Sequence, residues 1–238
     1  MKETAIQQFA ERPLYKTIIE EHGERALDLV LVVYVNFYFS EIEIMDLCSR
    51  WVPRRQSFVE KSYLVRHAAD EVRHAKLFRE GVERLGIDWE SLDYDKYRIK
   101  DINERFVKLH TSDDELEVLI GLNLYAEGVL ALEEIYQLGK TRPDVFYKFD
   151  QIYTDEKTHV RFGEVVAKRL VAESEENRLK MIEHCQWYEK HLSNYLGGEL
   201  ADKIQIGIDY GFLSNDYCES TKARFRQVTA ELGYSSTL

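Results

Sequence analysis

Two stretches of the chain place a carboxylate three residues ahead of an imidazole: Asp70-Glu71-Val72-Arg73-His74 and Asp155-Glu156-Lys157-Thr158-His159. On an α-helix of about 3.6 residues per turn, that spacing sets both side chains on one face. Two such faces turned toward each other would gather two carboxylates and two imidazoles, a donor set for metal ions. A lone Glu-x-x-His is common by chance and is then a solvated pair; two, on separate helices, ask for an explanation.

A carboxylate-bridged two-metal centre in a four-helix bundle needs a Glu-x-x-His from each of two helices and a single Glu from each of the other two. Ahead of the first motif stand Glu41 and Glu43. Glu41 shares its helical face with Tyr34, Phe37, Tyr38, Ile44, Met45 and Cys48, whereas Glu43 lies with Asn36, Phe39, Ser40, Asp46, Leu47 and Arg50. A carboxylate on an apolar face has to be paired or bind metal, so Glu41 is preferred and Glu43 is the alternative. Ahead of the second motif, Glu127 sits in the apolar stretch Val118 to Leu132, with Glu134 as an alternative two turns on.

The candidate ligands are therefore Glu41, Glu71, His74, Glu127, Glu156 and His159. Mostly oxygen donors with one imidazole per ion suit iron or manganese far better than copper, zinc or calcium. Tyr34, Phe37, Tyr38 and Ile44 are expected to line an apolar substrate pocket beside Glu41. His67, four residues before Glu71 on the same face, reads as a histidine that supports the ligands from outside or is satisfied by its neighbours, with a further ligand as the alternative. His184 and His191 read as ordinary surface or packing residues.

The elements that must position these groups are helices. Three prolines and twelve glycines in 238 residues leave room for long ones. A buried helix is expected from Arg25 to about Trp51, because Leu29 to Phe39 is apolar on every side apart from Asn36; such a helix is covered all round, either inside a bundle or partly by a second subunit. The next is expected from Gln56 to Leu85, stopped by Gly86. Residues 87 to 112 show no clean period and read as the long crossover between two helical hairpins. Asp113-Asp114-Glu115 opens a third core helix to about Leu138, its acidic start favoured by the macrodipole. Pro143 suits the first turn of a fourth, Asp144 to about Ala172. Three more helices follow, at about 175 to 196, 199 to 213 and 216 to 232, and a short amphipathic pattern broken at Pro13 precedes them all over residues 4 to 21.

Composition narrows the function classes. A formal charge of −11 with no long basic run argues against nucleic acid as the main partner, and Arg50, Arg54 and Arg55 read as a solvated loop, with an anion contact as the alternative. Cys48, Cys185 and Cys218 form no Cys-x-x-Cys, which leaves neither a disulfide framework nor a cysteine metal site and fits the cytoplasm. The N-terminus carries no apolar core of a signal peptide, and the densest apolar run falls short of the roughly 20 residues that span a bilayer.

Asp70-Glu71-Val72-Arg73-His74 resembles the Asp-Glu-x-Arg-His motif of ferritin-like di-iron carboxylate proteins such as the bacterial multicomponent monooxygenases. In that family the Glu bridges two irons, the His ligates one, and the Asp and Arg support them from outside. The resemblance thus gives Asp70, Asp155 and Arg73 supporting roles, with Asp70 and Asp155 accepting the outer ring N–H of a ligating histidine. The second motif has Lys157 and Thr158 where x-Arg would stand. Glu127 through His159 to Phe162-Gly163-Glu164 is similar to the same part of the cyanobacterial aldehyde-deformylating oxygenases. Arylamine N-oxygenases of the superfamily carry an additional histidine ligand arranged like His67, although on the other motif helix.

The resemblance implies one ferritin-like all-α domain over 1–238, with a four-helix bundle at about 25–172 and accessory helices at 1–24 and 173–238. It also implies two Fe ions, or Fe with Mn, and O2 as co-substrate. The expected activity is that of an oxygenase or oxidase on a small hydrophobic or acyl-type organic substrate, with N-oxygenation, hydroxylation, desaturation and C–C cleavage all open. A ferroxidase or a rubrerythrin-like peroxide scavenger is the alternative. With no flavin, nicotinamide or iron–sulfur motif, electrons would come from an external donor such as a ferredoxin or reductase. A homodimer is expected, with neither a nucleic-acid nor a membrane partner.

Overall fold

The computed structural model describes residues 13–198 and 200–238, and among them every regular element is helical. The amphipathic pattern over residues 4–21 lies in part outside the described residues; its described part forms α1, Leu14–His22. Gly23, at a φ of 85° open to glycine, turns the chain into α2, Glu24–Trp51. A 3₁₀ turn holding Pro53 ends α2 and leads into α3, Phe58–Arg84. These two helices pack along their length as the first hairpin.

The second hairpin consists of α6 and α7. α6 begins as α-helix at Glu115–Val118, winds as π-helix through Leu119–Ala131, and returns to α-helix over Leu132–Thr141. In the π stretch the bonding reaches one residue further, as where the Leu132 amide donates to the Glu127 carbonyl. Asp114 caps the first turn, its carboxylate accepting from the Leu116 amide. α7 runs over Phe149–Glu173.

The start of α7 corrects the expected helix from Asp144. Residues 143–148 make a turn instead, closed by Lys148 at a φ of 58°. Val145 and Phe146 are each 1% exposed, and the Tyr34 hydroxyl donates to the Val145 carbonyl at 2.6 Å while accepting from the Tyr147 amide at 3.0 Å. Burial of two apolar side chains and two tertiary hydrogen bonds thus replace one helical turn.

The crossover is also more regular than expected. It holds a short helix, α4 (Tyr94–Tyr97), and a longer one, α5 (Lys100–Thr111), which buries Arg105, Phe106 and Leu109 against the bundle. The rest of α5 faces outward and is strongly charged, which masks its period. Asn36, the polar break in the apolar run of α2, anchors this segment: its amide donates to Val32 O and Tyr97 O at 2.7 and 2.8 Å, and its carbonyl accepts from Ile99 N at 2.9 Å.

Beyond the two hairpins, α8 (Glu175–Gly197), α9 (Ala201–Asp209) and α10 (Tyr217–Ala230) complete the chain. α8 and α10 cover α6, and α9 and α1 cover α2. The π stretch is therefore buried almost all round.

Candidate metal centre

α3 presents His67, Glu71 and His74 inward, one turn apart in succession. α7 presents Glu156 and His159 opposite them, α2 adds Glu41 and the π stretch adds Glu127. None of the seven is more than 3% exposed. Their donor atoms fall into two groups, each within 4.8 Å: His67, Glu71, Glu127 and His159, and Glu41, Glu71, His74 and Glu156.

Glu71 belongs to both groups. Its Oε2 lies 3.2 Å from His74 Nδ1 and its Oε1 3.2 Å from His159 Nδ1. Glu156 repeats the pattern, with Oε1 3.2 Å from His74 Nδ1 and Oε2 3.2 Å from His159 Nδ1. Each motif carboxylate thus spans the gap between two imidazoles, both of which aim Nδ1 inward.

The outer ring nitrogens are held crosswise. His74 Nε2 lies 3.4 Å from Asp155, on the other hairpin, and His159 Nε2 lies 3.5 Å from Asp70. A carboxylate taking the outer N–H leaves the Nδ1 lone pair free to face inward. Arg73 Nη2 joins the two acids, 2.8 Å from Asp70 and 3.0 Å from Asp155. One arginine therefore serves both motifs, so Thr158 in place of a second arginine leaves neither acid without its cation. The His159 hydrogen bond and then Arg73 hold the Asp70 carboxyl down to about 2.

The electrostatics ask for positive charge. Burial opposes an imidazolium at His74, yet hydrogen bonds to Glu156 and Glu71 outweigh it and raise its pKa to about 10. His159 is raised to about 9, against burial and the neighbouring His67, chiefly by Glu156 and Asp70. Burial and then the Glu71 carboxylate push Glu41 well above the ordinary carboxylate range. Among the described residues, Glu41 Oε2 and His67 Nδ1 have no hydrogen-bond partner. Protons on the imidazoles meet the same demand that metal ions would meet, and carboxylate-rich N/O donors of this kind suit iron and manganese.

The alternatives at each position separate clearly. Glu43 is on the outside of α2, 2.9 Å from His110 Nε2, whereas Glu41 is in the second group. Glu134 is in neither group and lines a cavity instead. On a regular α-helix it would fall on the face of Glu127, but the wider π winding turns it aside. His67 is inside the first group: Nε2 is 2.8 Å from Glu127 Oε1 and 3.1 Å from Glu71 Oε1, and its ring stacks on His159 at 3.7 Å. Asn123 donates to the other oxygen of Glu127 at 3.0 Å. It packs against Gly163, where a Cβ would overlap the Asn123 side chain.

A cavity of about 90 Å³ adjoins the centre, walled by apolar groups together with Glu41, Glu127 and Glu156. Phe37 and Ile44 line it; Tyr34 and Tyr38 do not. Tyr34 is wholly buried between Phe78, Phe146 and Phe149, its hydroxyl committed to the 145–147 turn. Tyr38 packs on Trp89 instead. Sequence reasoning missed Arg105 and Glu134 in the cavity wall. Glu134 was visible only as a rejected ligand, and no motif marks Arg105.

No protein-family model matches the chain, and no curated protein matches it. Three solved structures of variants of an R2-like ligand-binding oxidase with an aerobically reconstituted Mn/Fe cofactor are similar to it, each at 19% sequence identity. Their TM-scores are 0.71, 0.68 and 0.67; they cover 92%, 94% and 92% of this chain, and each is itself covered over 85% of its length. What they share with this chain at that level is architecture: the protein has the all-α, ferritin-like fold of these oxidases.

Proposed function

We propose that the protein is an O2-dependent dimetal oxidoreductase acting on a small organic substrate with an apolar body. The observation that carries this reading is the pair of buried donor groups that share Glu71. Glu41, Glu71, His74, Glu127, Glu156 and His159 are assigned as ligands, and His67 as a seventh, all within one domain. The Mn/Fe cofactor of the structural neighbours and the carboxylate-rich donors support Fe/Fe or Mn/Fe occupancy. When bound, such a pair supplies the electrons that reduce O2.

The chain's own groups do the rest. Asp70, Asp155 and Arg73 fix the imidazoles, so that the donors need not reorganise during reaction. Phe37, Ile44 and Leu130 keep water from the cavity face, where Glu41, Glu127 and Glu156 meet the substrate space. An external donor restores the reduced state. Phe58, Val65 and Val72, exposed at seven-residue intervals along α3, give an apolar stripe that supports pairing of two copies. Among the described residues no helix is long and apolar enough to cross a membrane.

The test is anaerobic loading of the purified chain with Fe(II), alone and with Mn(II), followed by elemental analysis and O2 uptake. About two ions per chain are expected for this bundle type. Glu71→Ala should abolish retention of both ions, and His159→Ala should weaken chiefly one. Retention of zinc alone, or no uptake of iron or manganese, would overturn the proposal. Growth of a ferric mineral core on O2 addition would assign the centre to iron oxidation and storage instead.

A further inference from the structure

The centre leaves one charge in the cavity wall unexplained. Arg105 is 5% exposed and lines the same cavity as Glu41, Glu127 and Glu156. It has no ion pair or hydrogen bond among the described residues: Nε is without a partner, and its guanidinium merely sits 5.0 Å over the ring of Phe106. The other buried arginine, Arg55, is matched by Glu60 and Glu115.

A guanidinium keeps its proton at any ordinary pH, and a buried unpaired charge costs several kcal/mol. Asp101 lies one turn earlier on α5, but among the described residues it makes no ion pair or hydrogen bond with Arg105. The carboxylates of Glu41, Glu71, Glu127 and Glu156 are grouped with the imidazoles of His67, His74 and His159 in the centre. Glu134, held by burial at about 7, forms no ion pair among the described residues and carries only part of a charge near neutrality. Lys203, also in the wall, is half-buried and adds further positive charge.

We propose that Arg105 seats the carboxylate of an organic acid whose apolar body fills the cavity toward Glu41 and Glu127. The planar fork matches a carboxylate through two parallel N–H···O bonds. Ile102, Phe106, Leu130 and Phe37 offer the body an apolar bed. By volume, a cavity of about 90 Å³ has room for roughly six to nine waters, enough for a short aliphatic chain or an aromatic ring. The acid group is thereby kept off the metal ligands, and the far end of the molecule is the part turned to the centre. That this end is oxidised rests on the function proposed above; the binding itself does not.

The test is calorimetric titration of the full chain, metal-free and anaerobically Fe(II)-loaded, with octanoate, methyl octanoate and inorganic phosphate. Octanoate should bind in both states, the ester more weakly, and phosphate not at all. Arg105→Gln should weaken octanoate about 10- to 100-fold, the loss of a charge-assisted pair, and leave the ester and the metal content unchanged; Arg105→Lys should restore part of the affinity. Octanoate binding that requires metal and survives Arg105→Gln would place the carboxylate on the ions and overturn the proposal. Equal affinity of the intact chain for octanoate and its ester would overturn it as well, whether or not the variant folds. A chain that takes up no metal yet still prefers octanoate would sink the dimetal reading and leave the Arg105 seat standing.

Discussion

His67 Nε2 lies 2.8 Å from Glu127 Oε1, and the same imidazole stacks on His159 at 3.7 Å. Two imidazoles this close, facing buried carboxylates, call for positive charge among them, carried by protons on the rings or by a metal ion. The donor group with Glu127 therefore holds two imidazoles and the group with Glu41 one. His67→Ala should weaken one of the two metal ions at least 10-fold while the other stays, a range set by the loss of ligand-sphere contacts. Competition with a chelator in a metal titration measures this; two unchanged affinities would return His67 to the role of a hydrogen-bond partner.

Arg73 predicts the opposite symmetry. Because its Nη2 contacts both Asp70 and Asp155, Arg73→Met should loosen both imidazoles and lower the affinity for both ions by about 10- to 100-fold. Asp70→Asn should act mainly through His159. Stepwise metal titration of the two variants distinguishes the patterns, and a one-sided effect of Arg73→Met would refute the shared clamp.

Asn36 predicts a stability change without a change in donor set. Asn36→Leu leaves the Tyr97 carbonyl and the Ile99 amide without their partners. Each orphaned buried group costs about 1–3 kcal/mol, so a loss of about 2–5 kcal/mol is expected from urea unfolding. A loss below about 1 kcal/mol would show that the segment leading into α5 is held otherwise.

His191 sets a pH dependence. Burial, and then the charge of Arg105, pull its pKa down to about 4, and the Tyr125 hydroxyl lies 2.8 Å from its Nδ1. The ordinary value is near 6.5, so between about 6.5 and 4 the unfolded chain binds more protons than the folded one. Stability from this group is complete above about 6.5 and falls as pH drops toward 4. His191→Gln should flatten that part of the pH–stability curve, read as urea midpoints at pH 7.5 and pH 5.

How far the sequence could be read depends on how local each feature is. The Glu-x-x-His pairs are periodicity within one helix, and Glu41 against Glu43 is a question of which face is apolar. Both were open to inspection, and the structure places Glu41 inside and Glu43 against His110. The crossing of Asp70 to His159 and Asp155 to His74 depends on how α3 meets α7, which no local pattern encodes. Tyr34 shows the limit of face counting: sharing the face of Glu41 places it in the interior, without saying whether it meets cavity or core. α5 was hidden because only a narrow stripe of it is buried, and Arg105 because a buried arginine has no sequence signature.

The outer clamp has a further consequence. Two carboxylates, Asp70 and Asp155, meet one guanidinium, and all three are roughly a quarter to a third exposed while the ligands behind them are sealed. None of the three lines the cavity. The centre thus has a solvent-facing side with a surplus negative charge and a cavity side whose mostly apolar wall has Arg105 set into it. On the function proposed above, metal ions and substrate would reach the centre from opposite sides, the ions past Asp70 and Asp155 and the substrate through the cavity.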